Sequence, residues 1–327
     1  IMFSPFISIK NMITSKNDID NTIDLNPNST NKEESDLAKS LEKEAYIVLN
    51  TDGENLASFL KEVEQDSEYE KLILEPQNAL SEMDEDTLLV VVDTNKKNYV
   101  ESPEVLQKAK KIMVIDHHRR SPDYIENATL IFHEVYASSA SELVTELVEY
   151  AQKEVTLTNL EAEALYAGIM MDTKTFTFKT GVRTFEAAAY LRKSGVDIIK
   201  VKKWFQSDLG TYNKISNIIG KAEIVYDSIA ISTYEEEDKD ANVVCAKAAD
   251  ELLTISNITA SFVLGKLGGR ICISGRSIGD INVQVILEKL GGGGHITLAG
   301  AQVEGMDMEE TKQELLNRIH EYFSEQI

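Results

Sequence analysis

Three apolar runs, each ending in an ionisable side chain, constrain this chain more than any other feature. Lys111-Ile112-Met113-Val114-Ile115 stops at Asp116-His117-His118-Arg119-Arg120, Leu88-Leu89-Val90-Val91-Val92 stops at Asp93, and Ile169-Met170-Met171 stops at Asp172. The first two read as buried strands of a parallel sheet, which opens its ligand crevice at the carboxyl ends of its strands. An isolated His-His pair after a strand reads equally well as a surface turn. Joined by two more runs that end in Asp, the pair fits one crevice that binds a hard or borderline divalent cation.

Around these runs the pattern alternates. Strands are expected at 45–49, 88–93, 111–116 and 128–132, with helices at 33–43, 54–66, 102–110, 140–150, 158–171, 184–194 and 197–219; strands separated by helices imply a parallel sheet covered on its faces. After Gly220 the composition shifts. Strands at 222–226 and 229–233, an acidic loop at 235–240, a helix at 246–253, a hairpin of 260–267 with 270–274, and helices at 283–290 and 308–323 suggest a smaller α/β domain with a mostly antiparallel sheet. Residues 11–31, with six asparagines and no period of 2 or 3.6, read as a loop or disordered arm. Trp204 and Phe205 are expected in the core or between domains, and His133 and His320 are expected to be structural.

A chain of 327 residues with 43% hydrophobic content can bury a full core, and its length predicts two domains. The formal net charge of -22 argues against a partner of long nucleic acid, because phosphate-backbone binding needs clustered Lys and Arg. A small anion remains compatible with it. Only Cys245 and Cys272 are present, which suits a reducing cytoplasm and supplies neither a disulfide framework nor a zinc site. The apolar opening, residues 1–9, is too short to span a bilayer, and no membrane or export segment is expected.

Three further stretches carry chemistry. Gly291-Gly292-Gly293-Gly294-His295 reads either as a linker or as a cradle of backbone amides for a phosphate, and the apolar continuation Ile296-Thr297-Leu298-Ala299-Gly300 favours the cradle. Arg276 leaves a strand and is suited to clamp a phosphate, although alone it reads as a surface residue. Ser138 and Ser139 with Glu142 have the form of a helix cap, the alternative being a hydroxyl and a helix N-terminus facing an anion.

Taken together, Asp93, Asp116-His117-His118, Met171-Asp172-Thr173 and Gly291-Gly292-Gly293-Gly294-His295 resemble the DHH/DHHA1 phosphoesterase family. Asp116-His117-His118-Arg119-Arg120, Tyr136-Ala137-Ser138-Ser139, Arg183-Thr184-Phe185, Ala248-Ala249-Asp250-Glu251-Leu252-Leu253 and Asn282-Val283-Gln284 are similar in particular to the cytoplasmic catalytic part of the cyclic-di-AMP phosphodiesterases of the GdpP type. The resemblance implies an irregular arm at 1–36, a DHH domain at 37–205 with a parallel sheet flanked by helices, a linker helix at 206–221, and a DHHA1 substrate-binding domain at 222–327. It implies a cytoplasmic, manganese-dependent hydrolase that opens cyclic-di-AMP to the linear dinucleotide pApA, with Mg²⁺ or Co²⁺ as second choice of ion, and it is compatible with a homodimer. Asp93 would bridge two metals, with His117 and Asp172 on the second, Asp116 orienting His117, and His118 facing the scissile phosphate. Ser138, Ser139, Arg276, Gly291 to Gly294 and His295 would hold a cyclic or short linear dinucleotide.

The departure from the family pattern lies at the start. Members begin with a histidine followed by Asp-x-Asp, whereas this chain has no histidine before His117 and keeps only Asp18-Ile19-Asp20, with Thr14 four residues earlier. Asp93, His117 and Asp172 alone imply one held ion and slow turnover; Asp18 and Asp20, should they reach the site, imply two. A nucleotide-binding relative of weak activity and a hydrolase of short oligonucleotides are the alternative readings.

Overall fold

The computed structural model describes residues 45–325 apart from 50–56, 66–68, 70–71, 121 and 152–155. Asp18, Asp20, Thr14 and the helix expected at 33–43 lie outside the described residues. The chain divides into two compact units, one ending at Gln206 and the other starting at Ser207. The helix expected as a linker therefore opens the second unit.

In the first unit, β1 (Ile47–Val48) and β2 (Ile73–Leu74) form a parallel pair, and β3 (Leu88–Val92), β4 (Lys111–Asp116) and β5 (Leu130–His133) form a parallel sheet in the order β3-β4-β5. Helices α1 (Ala57–Gln65), α2 (Pro76–Glu82), α3 (Pro103–Lys108), α4 (Ala140–Glu149), α5 (Asn159–Asp172), α6 (Val182–Lys193) and α7 (Ile198–Trp204) accompany them. The register sets Val92 beside Ile115 and Asp116 beside His133, and the Asp93 amide donates to the Ile115 carbonyl at 2.9 Å. One edge of the sheet thus gathers Asp93, Asp116 and His133.

Helix α5 brings Asp172 to the same core. Thr158 and Glu161 cap its start reciprocally, and every residue from Leu160 to Ile169 is buried, so the helix has no solvent face and ends firmly where Asp172 emerges. Lys200 of α7 pairs at 2.7 Å with Glu163, a buried acid that needs a cation, and Trp204 donates its indole N–H to Glu62 at 2.8 Å while Phe59 meets its ring edge-on. Trp204 and Phe205 belong to the first unit's core.

The second unit is a six-stranded sheet, β10-β11-β9-β8-β7-β6, made of β6 (Glu223–Val225), β7 (Ile229–Glu237), β8 (Ala260–Leu267), β9 (Arg270–Ser277), β10 (Gly293–His295) and β11 (Leu298–Val303). All its pairs are antiparallel except β7 with β8, which need a crossover and receive it from α9 (Ala241–Leu252). Alternation along the strands feeds two cores. Ile229, Ile231, Phe262 and Leu264 face α10 (Val283–Glu288) and α11 (Met308–Ser324), while Ala230 and Val263 face α9 and α8 (Leu209–Gly220).

Three local expectations are corrected. The helix expected at 197–219 is two helices, because Asp208 accepts from the Thr211 amide and starts a new N-terminus at α8. The acidic stretch expected as a loop continues β7 to Glu237, and α9 begins at Ala241, five residues before the expected helix. β2 and α2 were not expected at all. Among the described residues no helix is long and apolar enough to cross a membrane.

Candidate metal centre and nucleotide-binding residues

The carboxylate of Asp93 leaves β3 through a left-handed backbone, φ +64°, which a residue with a Cβ rarely adopts. This turn aims the side chain back across the strand ends. His117 Nε2 lies 3.3 Å from Asp93 Oδ1 and 3.8 Å from Asp172 Oδ2. Its other nitrogen, Nδ1, donates to the Ala137 carbonyl at 3.3 Å, which fixes the tautomer and leaves Nε2 facing the two carboxylates.

His118 is held differently. Its Nδ1 donates to Asp116 Oδ1 at 2.8 Å, and the backbone N–H of His118 reaches the same oxygen. The second oxygen of Asp116, a fully buried residue, accepts from Asn95 Nδ2 at 2.5 Å. His133 Nε2 bonds the His118 carbonyl and lies 3.9 Å from Asp116 Oδ2. The expected pairing of Asp116 with His117 is therefore corrected: the Asp116 carboxylate orients His118, whose ring meets that of His117 edge-on with centroids 4.4 Å apart and planes at 64°.

Ionisable groups are concentrated here. Burial, and then the Asp93 charge, push the Asp172 carboxyl up to about 6. Burial works to lower His117, but the neighbouring Asp93 and Asp172 carboxylates outweigh it and raise the imidazole above its ordinary value. Burial likewise opposes ionisation of Asp116, and the hydrogen bonds from His118 and Asn95 prevail and hold it below the usual carboxylate range.

A divalent cation fits this arrangement. Among the described residues, Asp93 Oδ1 and His117 Nε2 are buried side-chain atoms that lack a hydrogen-bond partner, and both face the same point. Atoms of Asp93, His117 and His118 lie within 4.8 Å of one another. Since His118 Nδ1 is already engaged by Asp116, the better third donor is Asp172, beside His117. Two carboxylates and one imidazole form a set that suits Mn²⁺ or Mg²⁺.

Ser138 and Ser139 are fully buried: Ser139 Oγ accepts from the Glu142 amide as the cap of α4, and Ser138 Oγ donates to Glu142 Oε2. Their hydroxyls serve the helix start in this structure. In the second unit, Arg276 is buried in β9, where Nε donates to Asp250 Oδ1 at 3.1 Å and Nη1 to the Gly275 carbonyl at 3.0 Å. It lines a cleft of about 520 Å³ with Gly291, Gly292, Gly293, Ser274 and Asn242. Gly293, Gly294 and His295 form β10 against β11, and His295 is exposed.

Asn95, the Ala137 carbonyl and Asp250 were not anticipated as parts of these sites. Asn95 has a sequence signal in its place two residues after Asp93, whereas a backbone carbonyl has none.

The DHH family, N-terminal domain, matches residues 22–169 and the DHHA1 domain matches residues 221–325. The cyclic-di-AMP phosphodiesterase GdpP of Geobacillus thermodenitrificans is 45% identical over 88% of this chain, and the chain spans 44% of that protein's length. The bifunctional oligoribonuclease and PAP phosphatase NrnA of Thermus thermophilus is 27% identical, over 86% of this chain and 82% of its own. An exopolyphosphatase-related protein from Bacteroides fragilis has the same fold, with a TM-score of 0.71 at 19% identity over 86% of this chain and 85% of its own. This chain, with a DHH domain followed by a DHHA1 domain, belongs to the DHH family.

Proposed function

We propose that the chain is a metal-dependent phosphodiesterase that opens cyclic-di-AMP to pApA. The observation that carries this reading is the pair of buried, unpartnered atoms, Asp93 Oδ1 and His117 Nε2, aimed at one point beside a separately oriented His118. Asp93, His117 and Asp172 would hold the cation, Mn²⁺ by preference. Once bound, a divalent cation polarises a phosphoryl oxygen and lowers the pKa of an attacking water. His118 keeps Nδ1 on Asp116, so Nε2 is the nitrogen available to the substrate: protonated, it donates to a phosphate oxygen or to the departing ribose oxygen. Asp116 orients that imidazole, and Asn95 stops the carboxylate from rotating away. In the second unit, Arg276, in the cleft it lines with Gly291 to Gly293, would supply a guanidinium suited to a phosphate.

Incubation with cyclic-di-AMP and Mn²⁺, with products separated by chromatography, tests the reading. Accumulation of pApA that stops on chelation is the expected result, and intact cyclic-di-AMP after prolonged incubation contradicts it.

A second reading, hydrolysis of short linear oligoribonucleotides, is favoured by the match to NrnA over most of that protein's length. Under it pApA would not accumulate but would pass to AMP.

A further inference from the structure

The thirteen residues after Asp172, from Thr173 to Phe185, contain Lys174, Lys179 and Arg183 and not one acid, in a chain that carries 55 acids and 33 bases. The same stretch contains three phenylalanines. It begins with an unusual backbone: Lys174, Thr175 and Phe176 all have positive φ, between 45° and 62°. Such a run in residues with side chains is held only where the surroundings enforce it. Here Thr173 does so. The amides of Thr177 and Phe178 donate to its carbonyl at 2.8 Å each, the Phe176 amide donates to its hydroxyl at 2.9 Å, and that hydroxyl donates to the Ile169 carbonyl at 2.6 Å. Thr173 is itself fully buried, so the turn that follows the Asp172 ligand is rigid.

The product of this turn is a ladder of rings. Tyr166, buried in α5, lies 5.7 Å from Phe176, and Phe176 stacks on Phe185 with centroids 5.7 Å apart and planes 23° from parallel. The ladder starts in the core and finishes in solvent, with Phe185 55% exposed. A stack of this kind accepts one more planar ring at little entropic cost because its members are already in place. α6, which carries Phe185, is tied to α4 by a two-pronged contact of Arg183 with Glu146, both hydrogen bonds 2.6 Å. The terminal ring therefore stands on a braced helix.

We infer that the Thr173–Phe185 strap is a nucleobase-binding element, in which the outward face of Phe185 stacks on one base of a dinucleotide whose phosphate is held at the Asp172 end. The occupant is argued from chemistry on this strap. A planar apolar surface selects a ring, and the exposed Lys179 of the strap, Arg183 being held by Glu146, adds a charge that suits an anion; a nucleotide carries both. This inference rests on the reading of the protein as acting on a dinucleotide and names the residue that would grip the base. The grip is independent of bond cleavage, so binding tests it separately.

The test is equilibrium binding of pApA to the full chain, by calorimetry in the presence of Mn²⁺, beside its abasic counterpart in which both adenines are missing. Stacking of one base is worth about a five- to hundredfold change in affinity, so Phe185→Ala should weaken pApA by a factor in that range, while Phe185→Tyr stays within about twofold of the wild type. The abasic compound should bind the wild type and Phe185→Ala equally. Phe185→Trp supplies an optical readout, since a base stacked on the indole quenches its fluorescence and the abasic compound does not. Unchanged pApA affinity in Phe185→Ala, or an equal loss with the abasic compound, overturns the inference. Wild-type binding of pApA that depends on Phe185, with no hydrolysis of cyclic-di-AMP, would instead overturn the proposed function and leave the strap's role standing.

Discussion

His118 Nδ1 lies 2.8 Å from Asp116 Oδ1, while His117, one residue nearer in sequence, turns its own Nδ1 to the Ala137 carbonyl. The two imidazoles of one dipeptide are thereby given two tasks: His117 faces the carboxylates, and His118 stands on a buried anion. Asp116→Asn separates them. An amide at this position keeps one acceptor oxygen where the carboxylate has two, so either Asn95, whose Oδ1 has no hydrogen-bond partner, flips its amide to accept the new NH₂, or His118 loses its anionic partner and turns Nδ1 into an acceptor. The expected result is a fall in kcat on the order of a hundredfold or more for cyclic-di-AMP hydrolysis, with manganese affinity nearly unchanged. Steady-state kinetics beside a metal titration measures both quantities.

Asp93 combines a strained backbone with a buried carboxylate oxygen that lacks a hydrogen-bond partner among the described residues. Asp93→Gly relieves the left-handed φ and removes the repulsion with Asp172, gains that outweigh the added backbone entropy of glycine. The metal-free variant should therefore be as stable as the metal-free wild type or more so, by up to about 1–2 kcal/mol, while losing its cation. Denaturant unfolding with a chelator present checks the stability, and added Mn²⁺ should no longer raise the midpoint.

The pH dependence of the metal-free protein follows from Asp172 and His117. Asp172, raised to about 6 from 3.8, takes up a proton on folding, so its contribution to stability falls as pH climbs from 3.8 to 6 and stays lost above. His117, raised above 6.5, contributes below that value and loses its contribution as pH passes through its higher folded value. Both work in one direction. Allowing for the one-third exposure of the Asp172 side chain, the loss is about 1 kcal/mol for that group. A cation replaces these protons, so Mn²⁺ should raise the melting temperature more at pH of about 7.5 than at about 5. An equal rise at both would place the cation elsewhere.

The glycine run divides into structural and available positions. A Cβ on Gly292 would sit on the Gly300 carbonyl oxygen, and one on Gly294 on the Leu298 carbonyl oxygen, because β10 folds closely over β11. Gly293 has open space around it. Gly292→Ala should destabilise the protein by about 1–3 kcal/mol through overpacking, whereas Gly293→Ala should leave the melting temperature unchanged and weaken pApA binding. Calorimetric melting and pApA titration of both variants decide this.

Much of the fold was legible because the apolar runs at 88–92 and 111–115 carry the period and the β-branched residues of buried strands. The strand β2, two residues long, is too short to print a period, and the break at Asp208 depends on one side chain that caps rather than continues a helix. Asp93, His117 and Asp172 were legible as a set, since each ends an apolar run. The partner of Asp116 was not, because which imidazole turns inward is decided by the loop geometry after β4. The fit of the glycines was half legible: four in a row announce a close approach, but only the hairpin reveals that two of them approach another strand.

The central claim is that Asp93, His117 and Asp172 bind a catalytic cation, and calorimetric titration of Mn²⁺ into the metal-stripped chain tests it most directly. One ion per chain is predicted, with the binding lost in His117→Ala although that variant still folds. Equal manganese affinity in the wild type and in His117→Ala would contradict it.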